Sequence, residues 1–355
     1  MKIGIITIVY AENYGAVLQC YALKHYLQKE CNTDIDVVDY HSNADKIGYS
    51  IIFNSLFYQC SWINYLKYLL KLPFLIKSTL IHKKVFRAFR RNVLKPQNNT
   101  SYDLLIYGSD QIWAYAPLYG GYNNIYWGDE YSAKKKITYS ASMGNVSCVD
   151  NEFIRKHVNN FDCISVREKE LKDFLQDFTK KEISHTIDPT LLLKKEQWSD
   201  FCKDGIVKDH EYILVYDLHN NDIIKRLKNI IANEKKLKVI EIYGYPKLHE
   251  NSDSNSGFTP QDFVSLFKNA SYVLTSSFHG TAFSIIFNKN FYVSQSTNKG
   301  RVMSLLESLD LQNRFISDIS SFEDRDINYL IANEKLEKLR NESANYLNKS
   351  IKYEV

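Results

Sequence analysis

The 355-residue sequence predicts an α/β protein with two Rossmann-like domains, each built on a parallel sheet. Short apolar runs alternate with helical patterns in both halves of the chain, as expected for strands joined by crossover helices. The chain is also too long for one ordinary hydrophobic core. Its 45% apolar residues, with only 13 Gly and 6 Pro, exclude a disordered or collagen-like protein.

The first half of the chain is predicted to contain six strands. The first strand, residues 2–9, leads through a turn into a helix over residues 16–27. The other strands are short apolar runs at 35–40, 102–107, 137–141, 163–166 and 183–187. Helical patterns over 151–160 and 169–178 separate the last three of these strands. This alternation predicts a parallel sheet in the first half.

The second half repeats the alternation. Its predicted strands are the apolar runs at 212–218, 236–243, 272–275 and 291–294. A helix is predicted to start at Thr259-Pro260-Gln261-Asp262, because this segment supplies a cap residue, a first-turn proline and a first-turn carboxylate. We therefore expect three parts: a domain over 1–195 with a basic helical insertion at about 46–102, a domain over 210–322, and a closing helix over 323–355 that starts at Glu323.

Residues 46–102 contain no Asp or Glu, although the whole chain carries 45 basic and 41 acidic residues. Ten basic side chains fall in this segment: Lys46, Lys67, Lys71, Lys77, Lys83, Lys84, Arg87, Arg90, Arg91 and Lys95. Mixed with aromatic and aliphatic residues, they fit peripheral contact with an anionic membrane. They also fit an insertion that packs by its apolar face and leaves a solvated basic face. Nucleic acid is not expected as a partner, because nothing resembles a readout helix.

The cysteine pattern and the apolar pattern bear on the cellular compartment. The six cysteines are scattered and show no C-x-x-C spacing. No basic-then-apolar leader pattern is seen before the first apolar run, so no signal peptide is expected, and no stretch of 18 uncharged apolar residues occurs. We therefore expect free thiols and a cytoplasmic location. The membrane contact that we expect is peripheral, at the inner face of the cytoplasmic membrane.

Four polar clusters are predicted at the carboxyl ends of strands, where ligands bind in open α/β sheets. They are Asn13-Tyr14-Gly15-Ala16, Gly108-Ser109-Asp110-Gln111, the segment around Arg167, and Ser276-Ser277-Phe278-His279-Gly280-Thr281. Each has a plain alternative: a helix start, a helix cap at Asp110, an arginine paired with a nearby carboxylate, or a structural histidine. Neither G-x-G-x-x-G nor G-x-x-x-x-G-K-[ST] occurs, which argues against dinucleotide and P-loop sites. The nine histidines show no metal-ligand spacing, so no metal site is expected.

At these clusters the sequence resembles the polysaccharide pyruvyl transferase family. The matching segments are IGIITIVYAENYGAVLQCYAL (3–23), DY (39–40), DLLIYGSDQIW (103–113), KITYSASMG (136–144), ISVREK (164–169), IDPTLLL (187–193), TSSFHGTAFSIIFN (275–288), NKGRVMSLL (298–306) and NR (313–314). The resemblance implies a GT-B-like two-domain architecture with the active site in the inter-domain cleft. It implies transfer of the pyruvyl group from phosphoenolpyruvate to two hydroxyls of one sugar, which forms a cyclic pyruvate ketal and releases phosphate.

The resemblance also implies roles for particular residues. The family arginine maps onto Arg167 and the family histidine onto His279, which are the expected catalytic residues. Some members carry a second arginine where this chain has Ser277, so we take Arg301 as the candidate for that missing anion clamp. The expected substrate-binding residues are Asn13, Tyr14, Gly15, Ser109, Asp110, Gln111, Ser277, Gly280, Thr281 and Arg301.

The expected chemistry needs fixed cations and an acid–base group. Phosphoenolpyruvate carries a carboxylate and a phosphate, and a guanidinium can bind either of them in a fork. An imidazole titrates near working pH, which suits proton transfer. Whether His279 protonates C3, deprotonates a sugar hydroxyl or binds phosphate stays open at this point.

The expected partners are phosphoenolpyruvate and a saccharide acceptor, either in a polysaccharide or in a lipid-diphosphate-linked repeat unit, and no further cofactor is implied. Two other functions remain open. One is a glycosyltransferase of similar fold that uses a nucleotide-sugar donor, which would need a nucleotide where the transferase needs phosphoenolpyruvate. The other is a saccharide-binding or membrane-surface protein that has lost catalysis, against which the presence of Arg167 and His279 argues.

Overall fold

The computed structural model describes residues 1–50, 62–99, 101–115, 121–144, 150–203, 205, 211–218, 220–244, 257–295 and 299–352. The chain divides into two compact units. Unit 1 comprises Met1–Leu66, Ala88–Leu192 and Lys338–Val355, and unit 2 comprises Lys67–Arg87 and Leu193–Glu337. This division differs from the predicted domains in two places, because residues 67–87 group with unit 2 and the end of the last helix groups with unit 1.

Unit 1 is built on a parallel sheet. Its strands are β1 (Ile3–Ile6), β2 (Ile35–Val38), β3 (Pro96–Gln97), β4 (Ser101–Tyr107), β5 (Ser132–Thr138), β6 (Ile164–Val166) and β7 (Ile183–His185). The first five pair in the order β3-β2-β1-β4-β5, and β6 pairs with β7. Single bridges from Ile137 to Cys163 and from Ala141 to Val166 continue the order into β6. The chain order reverses between β1 and β4, which is the switch point of a doubly wound sheet.

The middle strands of this sheet are buried because both of their faces are apolar. Every residue of β1 is buried, and Ile3 lies between Ile35 and Leu104 in the neighbouring strands. Gly4 is needed here, because a Cβ on it would lie 2.7 Å from the Tyr102 ring. Because Gly4 has no side chain, the Tyr102 ring packs directly against the backbone of β1.

The helices of unit 1 follow the strands. They are α1 (Tyr14–Cys31), α2 (Asn43–Gly48), α4 (Asn151–His157), α5 (Lys169–Gln176) and α6 (Pro189–Leu192). The helix α3 (Trp62–Phe89) and the following π-helical turn Arg90–Leu94 lie within the acid-free segment. None of the helices in the described ranges is long and apolar enough to cross a membrane.

Unit 2 contains a second parallel sheet. Its strands are β8 (Tyr212–Tyr216), β9 (Lys238–Ile242), β10 (Tyr272–Thr275) and β11 (Asn290–Val293), in the order β11-β10-β8-β9. Its helices are α7 (Lys195–Phe201), α8 (Asp222–Lys235), α9 (Pro260–Asn269), α10 (Phe278–Ile286) and α11 (Lys299–Ser308), and α12 (Tyr329–Lys352) closes the chain. Two parallel sheets in two units confirm the predicted α/β class and supply the elements of a GT-B-like fold.

The closing helix begins at Tyr329, six residues after its predicted start. The buried Arg314 binds two carbonyls just before this helix. Its Nη1 donates to the Arg325 carbonyl at 2.6 Å, and its Nη2 donates to the Asp326 carbonyl at 3.2 Å. The hydroxyl of Tyr272 donates to Asp324 at 2.8 Å. These bonds fix residues 324–326 as an irregular segment, so the predicted helix start at 323 is wrong.

Candidate functional site

Polar side chains follow the carboxyl ends of five strands in unit 1. These ends meet at one edge of the sheet, and the switch point between β1 and β4 lies there. The side chains are those of Thr7 after β1, Ser109 and Asp110 after β4, Ser142 after β5, Arg167 and Glu168 after β6, and Asp188 after β7. Hydrogen bonds and ion pairs join them into one network, which forms the candidate site of this unit.

Arg167 is the centre of the network. Its side chain is only 3% exposed, and its Nη1 lies 2.8 Å from Asp188 Oδ2. Its Nε lies 3.1 Å from Glu168 Oε1, and its Nη2 lies 4.0 Å from Asp110 Oδ1. Burial alone would lower the pKa of Arg167, but the neighbouring carboxylates raise it above its ordinary value. The guanidinium is therefore a permanent charge in a fixed plane.

Asp188 anchors both the arginine and the loop that follows β7. One carboxylate oxygen accepts from Arg167 and, at 3.2 Å, from the Ser109 hydroxyl. The other accepts from the amide and the hydroxyl of Thr190 at 3.0 and 2.7 Å. Asp188 is 1% exposed, so its charge is stabilised by these donors rather than by water. Losing the carboxylate would leave the buried guanidinium with one close partner fewer.

The network continues from Ser109 toward α1. The Ser109 amide donates to Gln19 Oε1 at 3.3 Å, and the Thr7 hydroxyl donates to the Ser109 carbonyl at 2.9 Å. Asn13 caps α1, because its side chain accepts from the amide of Gly15 at 2.8 Å. The helix start that the sequence left as an alternative is thus present. Tyr14 is fully buried, so its ring belongs to the core of unit 1.

Gln111 and Glu168 lie at the same edge of the sheet, beside the turn that follows β5. The Ser142 hydroxyl donates to Glu168 Oε1 at 2.7 Å and accepts from the Gly144 amide at 3.2 Å. A Cβ on Gly144 would lie 2.9 Å from Gln111 Oε1, which places the Gln111 side chain against this turn. The structure therefore brings Ser109, Asp110, Gln111 and Arg167 to the same edge of the sheet, and their roles in binding and catalysis stay predictions.

A second group of polar rings adjoins this edge. The Tyr10 hydroxyl hydrogen-bonds Asp39, and the Tyr10 ring stacks on His41 with centroids 4.1 Å apart. Burial and then the Asp39 carboxylate raise the pKa of Tyr10 to about 12. The half-buried guanidinium of Arg90 lies 5.2 Å from the Tyr10 ring centroid. Arg90, which the sequence grouped with membrane-facing basic residues, therefore belongs to this edge of unit 1.

In unit 2 the predicted residues share one tight turn between β10 and α10. Ser277 caps α10: its hydroxyl accepts from the Gly280 amide at 3.4 Å, and its carbonyl accepts from the Thr281 hydroxyl at 3.0 Å. Only glycine fits at position 280, because a Cβ there would lie 2.2 Å from Thr275 Oγ1. This turn sets the orientation of His279, which is 7% exposed.

The turn is supported from β8 and β11. The Ser276 hydroxyl donates to Asp217 Oδ1 at 2.6 Å, and the Gln295 side-chain amide donates to the Ser276 carbonyl at 2.7 Å. Asp217 also accepts from the Asn221 amide at 2.7 Å, which ties the turn to the start of α8. Arg301, the candidate second clamp, is half-buried in the first turn of α11, and its role stays a prediction.

Asp188, Glu168, Asp217 and Gln295 are the residues that the sequence reasoning did not assign. All four stand at or just beyond the carboxyl ends of buried strands, as the assigned residues do, so strand position was the available signal. Spacing alone could not show that Asp188 bonds Arg167, because the two are 21 residues apart and belong to different strand ends.

Two further features concern possible ligands. In the described ranges no group of three or more His, Cys, Asp or Glu side chains is arranged to hold a metal ion. An open surface pocket of about 550 Å³ lies at the amino end of β5, lined by Gly128, Asp129, Glu130, Ala133, Lys134, Lys136, Asn160 and Asp162. It lies away from the carboxyl ends of the strands, so we do not assign the site to it.

A family model described as polysaccharide pyruvyl transferase matches residues 13–294. No curated protein sequence matches the chain. The match spans most of the chain and includes both Arg167 and His279.

Solved structures give remote similarities. UDP-GlcNAc 2-epimerase from Neisseria meningitidis, bound to UDP-GlcNAc, has a TM-score of 0.48 at 11% identity, over 99% of this chain and 100% of that one. The Methanocaldococcus jannaschii UDP-GlcNAc 2-epimerase, in complex with UDP-GlcNAc and UDP, has 0.47 at 13% identity, over 100% of both chains. The Rickettsia bellii UDP-N-acetylglucosamine 2-epimerase has 0.42 at 13% identity, over 99% of both chains. These TM-scores are too low to support an argument about chemistry.

Proposed function

Because the chain belongs to the polysaccharide pyruvyl transferase family, we propose that it transfers the pyruvyl group of phosphoenolpyruvate to two hydroxyls of one sugar. The product is a cyclic pyruvate ketal, and phosphate is released. The family match over residues 13–294 carries this proposal. The buried, permanently charged Arg167 at the carboxyl edge of a parallel sheet supports it, since the donor is an anion.

Arg167 is proposed to bind the donor. Asp188 and Glu168 hold two of its nitrogens, Nη1 and Nε, and so fix the plane of the guanidinium. The third carboxylate, Asp110, is the most distant at 4.0 Å and is partly exposed. We infer that the donor carboxylate or phosphate takes the place of Asp110 beside Nη2. The competing interpretation is a purely structural ion-pair cluster, and a comparison of donor and acceptor kinetics separates the two.

The reaction needs three proton movements. A proton adds to the C3 methylene of phosphoenolpyruvate, which leaves C2 oxocarbenium-like. One sugar hydroxyl then attacks C2 and loses its proton. The second hydroxyl attacks the same carbon as the C2–O bond to phosphate breaks, and its proton leaves as phosphate departs. Atoms balance, because one of the two hydroxyl protons is offset by the proton gained at C3 and the other is taken by phosphate.

His279 is proposed as the acid–base group of this sequence. It stands in a turn that tolerates only glycine at the next position, and its ring lies edge-on to the Phe278 ring with the centroids 5.3 Å apart. Three tasks are compatible with an imidazole there: protonation of C3, deprotonation of a hydroxyl, or binding of phosphate. The first two place His279 in the kcat term, and the third places it in the donor KM.

The acceptor is proposed to be a saccharide, either in a polysaccharide or in a lipid-diphosphate-linked repeat unit. We place the enzyme in the cytoplasm, with peripheral contact at the inner membrane face. No metal or further cofactor is assigned to the reaction.

The proposal is tested by the donor that the purified protein uses. The acceptor is taken from a strain of the source organism that lacks this gene, either as polysaccharide or as lipid-linked repeat unit. We expect phosphate release that requires both phosphoenolpyruvate and this acceptor and needs no nucleotide. Turnover of a nucleotide sugar in place of phosphoenolpyruvate would identify a glycosyltransferase. Saccharide binding without turnover of either donor would identify a non-catalytic binding protein.

A further inference from the structure

The helix α3 exposes an apolar stripe to solvent. Six exposed apolar side chains recur every three or four residues and so share one face: Trp62, Leu66, Leu70, Pro73, Ile76 and Leu80. Ile81 is also exposed, at 38%. Trp62 is 71% exposed, Leu70 is 76% exposed and Leu80 is 52% exposed. Single exposed apolar residues scattered over a surface are ordinary, but a continuous stripe of this length on one helix marks an interaction surface.

At the carboxyl-terminal end of α3, from His82 to Phe89, the face opposite the stripe is packed into the protein. His82, Phe86 and Phe89 are at most 4% exposed, and the His82 and Phe86 rings lie 4.7 Å apart. Over these last turns the helix therefore has a core-facing side, and the exposed sector is the face that points away from it.

Basic side chains continue the stripe. Lys77, Lys84 and Arg87 are exposed and lie within the same sector of the helix as Trp62, Leu66 and Leu80. The stripe is thus mainly apolar over 62–80 and basic over 84–87. No acidic residue occurs anywhere from 46 to 102, so the sequence supplies no counter-charge along this surface.

We propose that this exposed face of α3 docks in the plane of an anionic lipid bilayer, with the apolar stripe in the headgroup–acyl boundary and Lys77, Lys84 and Arg87 at the lipid phosphates. An apolar stripe flanked by Lys and Arg is the composition of interfacial helices. This proposal identifies the surface through which the protein makes the peripheral membrane contact proposed above. It rests on the proposed function only for the reason why the enzyme contacts a membrane.

Charge decides between a lipid surface and a second copy of this chain. In a symmetric dimer through α3 both copies would present the same patch, and no Asp or Glu of the segment 46–102 would be there to pair with the three cations. Like charges at an interface oppose association, whereas an anionic bilayer attracts each of them. The lipid surface is therefore the occupant that complements this face.

The test measures binding of the full chain to phosphatidylcholine vesicles with and without phosphatidylglycerol. We expect binding to the anionic vesicles at low salt, progressive release as salt rises, and little binding to the neutral ones. The triple variant K77E/K84E/R87E should lose on the order of 100-fold in partitioning, at about fivefold or more for each basic residue. The matched control R226E/K338E/K349E makes the same charge change on exposed helical positions outside the segment and should retain most of the binding.

A second pair of variants tests the apolar stripe. L70Q/L80Q should weaken vesicle binding, whereas L330Q/I331Q, at similarly exposed positions of α12 (69% and 49%), should not. Equal effects of the two charge triples, or unchanged binding in L70Q/L80Q, would overturn the proposal. So would a concentration-dependent dimer that disappears with the α3 variants. Phosphate release is measured on the same preparations, so vesicle binding without turnover would refute the proposed function and leave this inference standing.

Discussion

Arg167 has its guanidinium plane fixed by two carboxylates, and this determines what a conservative replacement does. Lysine keeps the charge but cannot hold Asp188 and Glu168 while also presenting a planar fork to the donor. We expect R167K to raise the donor KM about tenfold or more, from the ~1.5–3 kcal/mol of a hydrogen bond to a charged group. The acceptor KM should change less.

The control for this variant is R155K, which replaces an exposed arginine of α4 that stacks over Phe178. It should leave both constants unchanged. If R167K lowers only the thermal stability and leaves both Michaelis constants in place, Arg167 is a structural ion-pair residue and the proposed donor contact is wrong.

His279 is proposed to transfer protons, so its replacement should lower kcat. H279A is expected to lower kcat on the order of 100-fold or more while the fold survives. Steady-state kinetics and circular dichroism on the purified variant measure both. H25A, in the half-buried middle of α1, is the matched control and should keep its activity.

The kinetic split also assigns the task of His279. A fall in kcat with loss of one limb of the pH profile supports proton transfer. A rise in donor KM with kcat retained would instead make His279 a phosphate ligand. Full activity in folded H279A would remove it from the site.

At the scale of the element, the β10–α10 turn depends on one glycine. A Cβ at position 280 would lie 2.2 Å from Thr275 Oγ1, and that hydroxyl is already bonded to the Tyr216 carbonyl at 2.8 Å. We expect G280A to lower the free energy of unfolding by about 1–3 kcal/mol, the usual cost of overpacking. Denaturant unfolding measures it.

The control for this substitution is G48A, because nothing lies within 4 Å of a Cβ built there. G48A should unfold at nearly the wild-type midpoint. An unchanged midpoint for G280A would mean that the turn has room to shift, and the argument that it fixes His279 would fail.

Strand positions could be read from the sequence because the buried strands are continuous apolar runs. The prediction for 272–275 matches β10, and 102–107 misses β4 by one residue. The strand predicted at 137–141 is β5, which begins at Ser132, because its first residues are polar and charged and so lack the apolar signal. The closing helix was predicted to start too far toward the N-terminus. The hydrogen bonds from Arg314 to the carbonyls of residues 325 and 326 join positions 11 and 12 residues apart, which no local sequence pattern encodes.

The candidate site was predicted in part for the same reason. Ser109, Asp110, Gln111 and Arg167 follow strands, so their shared edge could be expected from the fold class. The role of Asp188 could not, since it depends on the pairing of β6 with β7. Arg90 was assigned to a basic surface because its charge is visible in the sequence, whereas its contact with Tyr10 requires the three-dimensional structure.

At the scale of the whole molecule, the proposed chemistry is expected to need no bound metal. The sequence shows no metal-ligand spacing, and the charge of the donor is assigned to protein side chains. Phosphate release should therefore persist after extensive dialysis against a chelator. Activity that is abolished by this treatment and restored by one divalent cation would contradict the assignment, whereas weak stimulation by magnesium reflects its binding to phosphoenolpyruvate in solution.

The central claim is that both hydroxyls of the acceptor sugar end on the same pyruvyl carbon. Mass alone cannot test it, because a ketal and a singly attached enolpyruvyl ether are isomers. The proton NMR spectrum of the product can, after the purified protein has acted on phosphoenolpyruvate and the acceptor from the deletion strain. The account predicts a new methyl signal, no vinyl signals, and one phosphate released for each methyl group formed. Vinyl signals, or a product that lacks the pyruvyl carbons while phosphate is released, would contradict it.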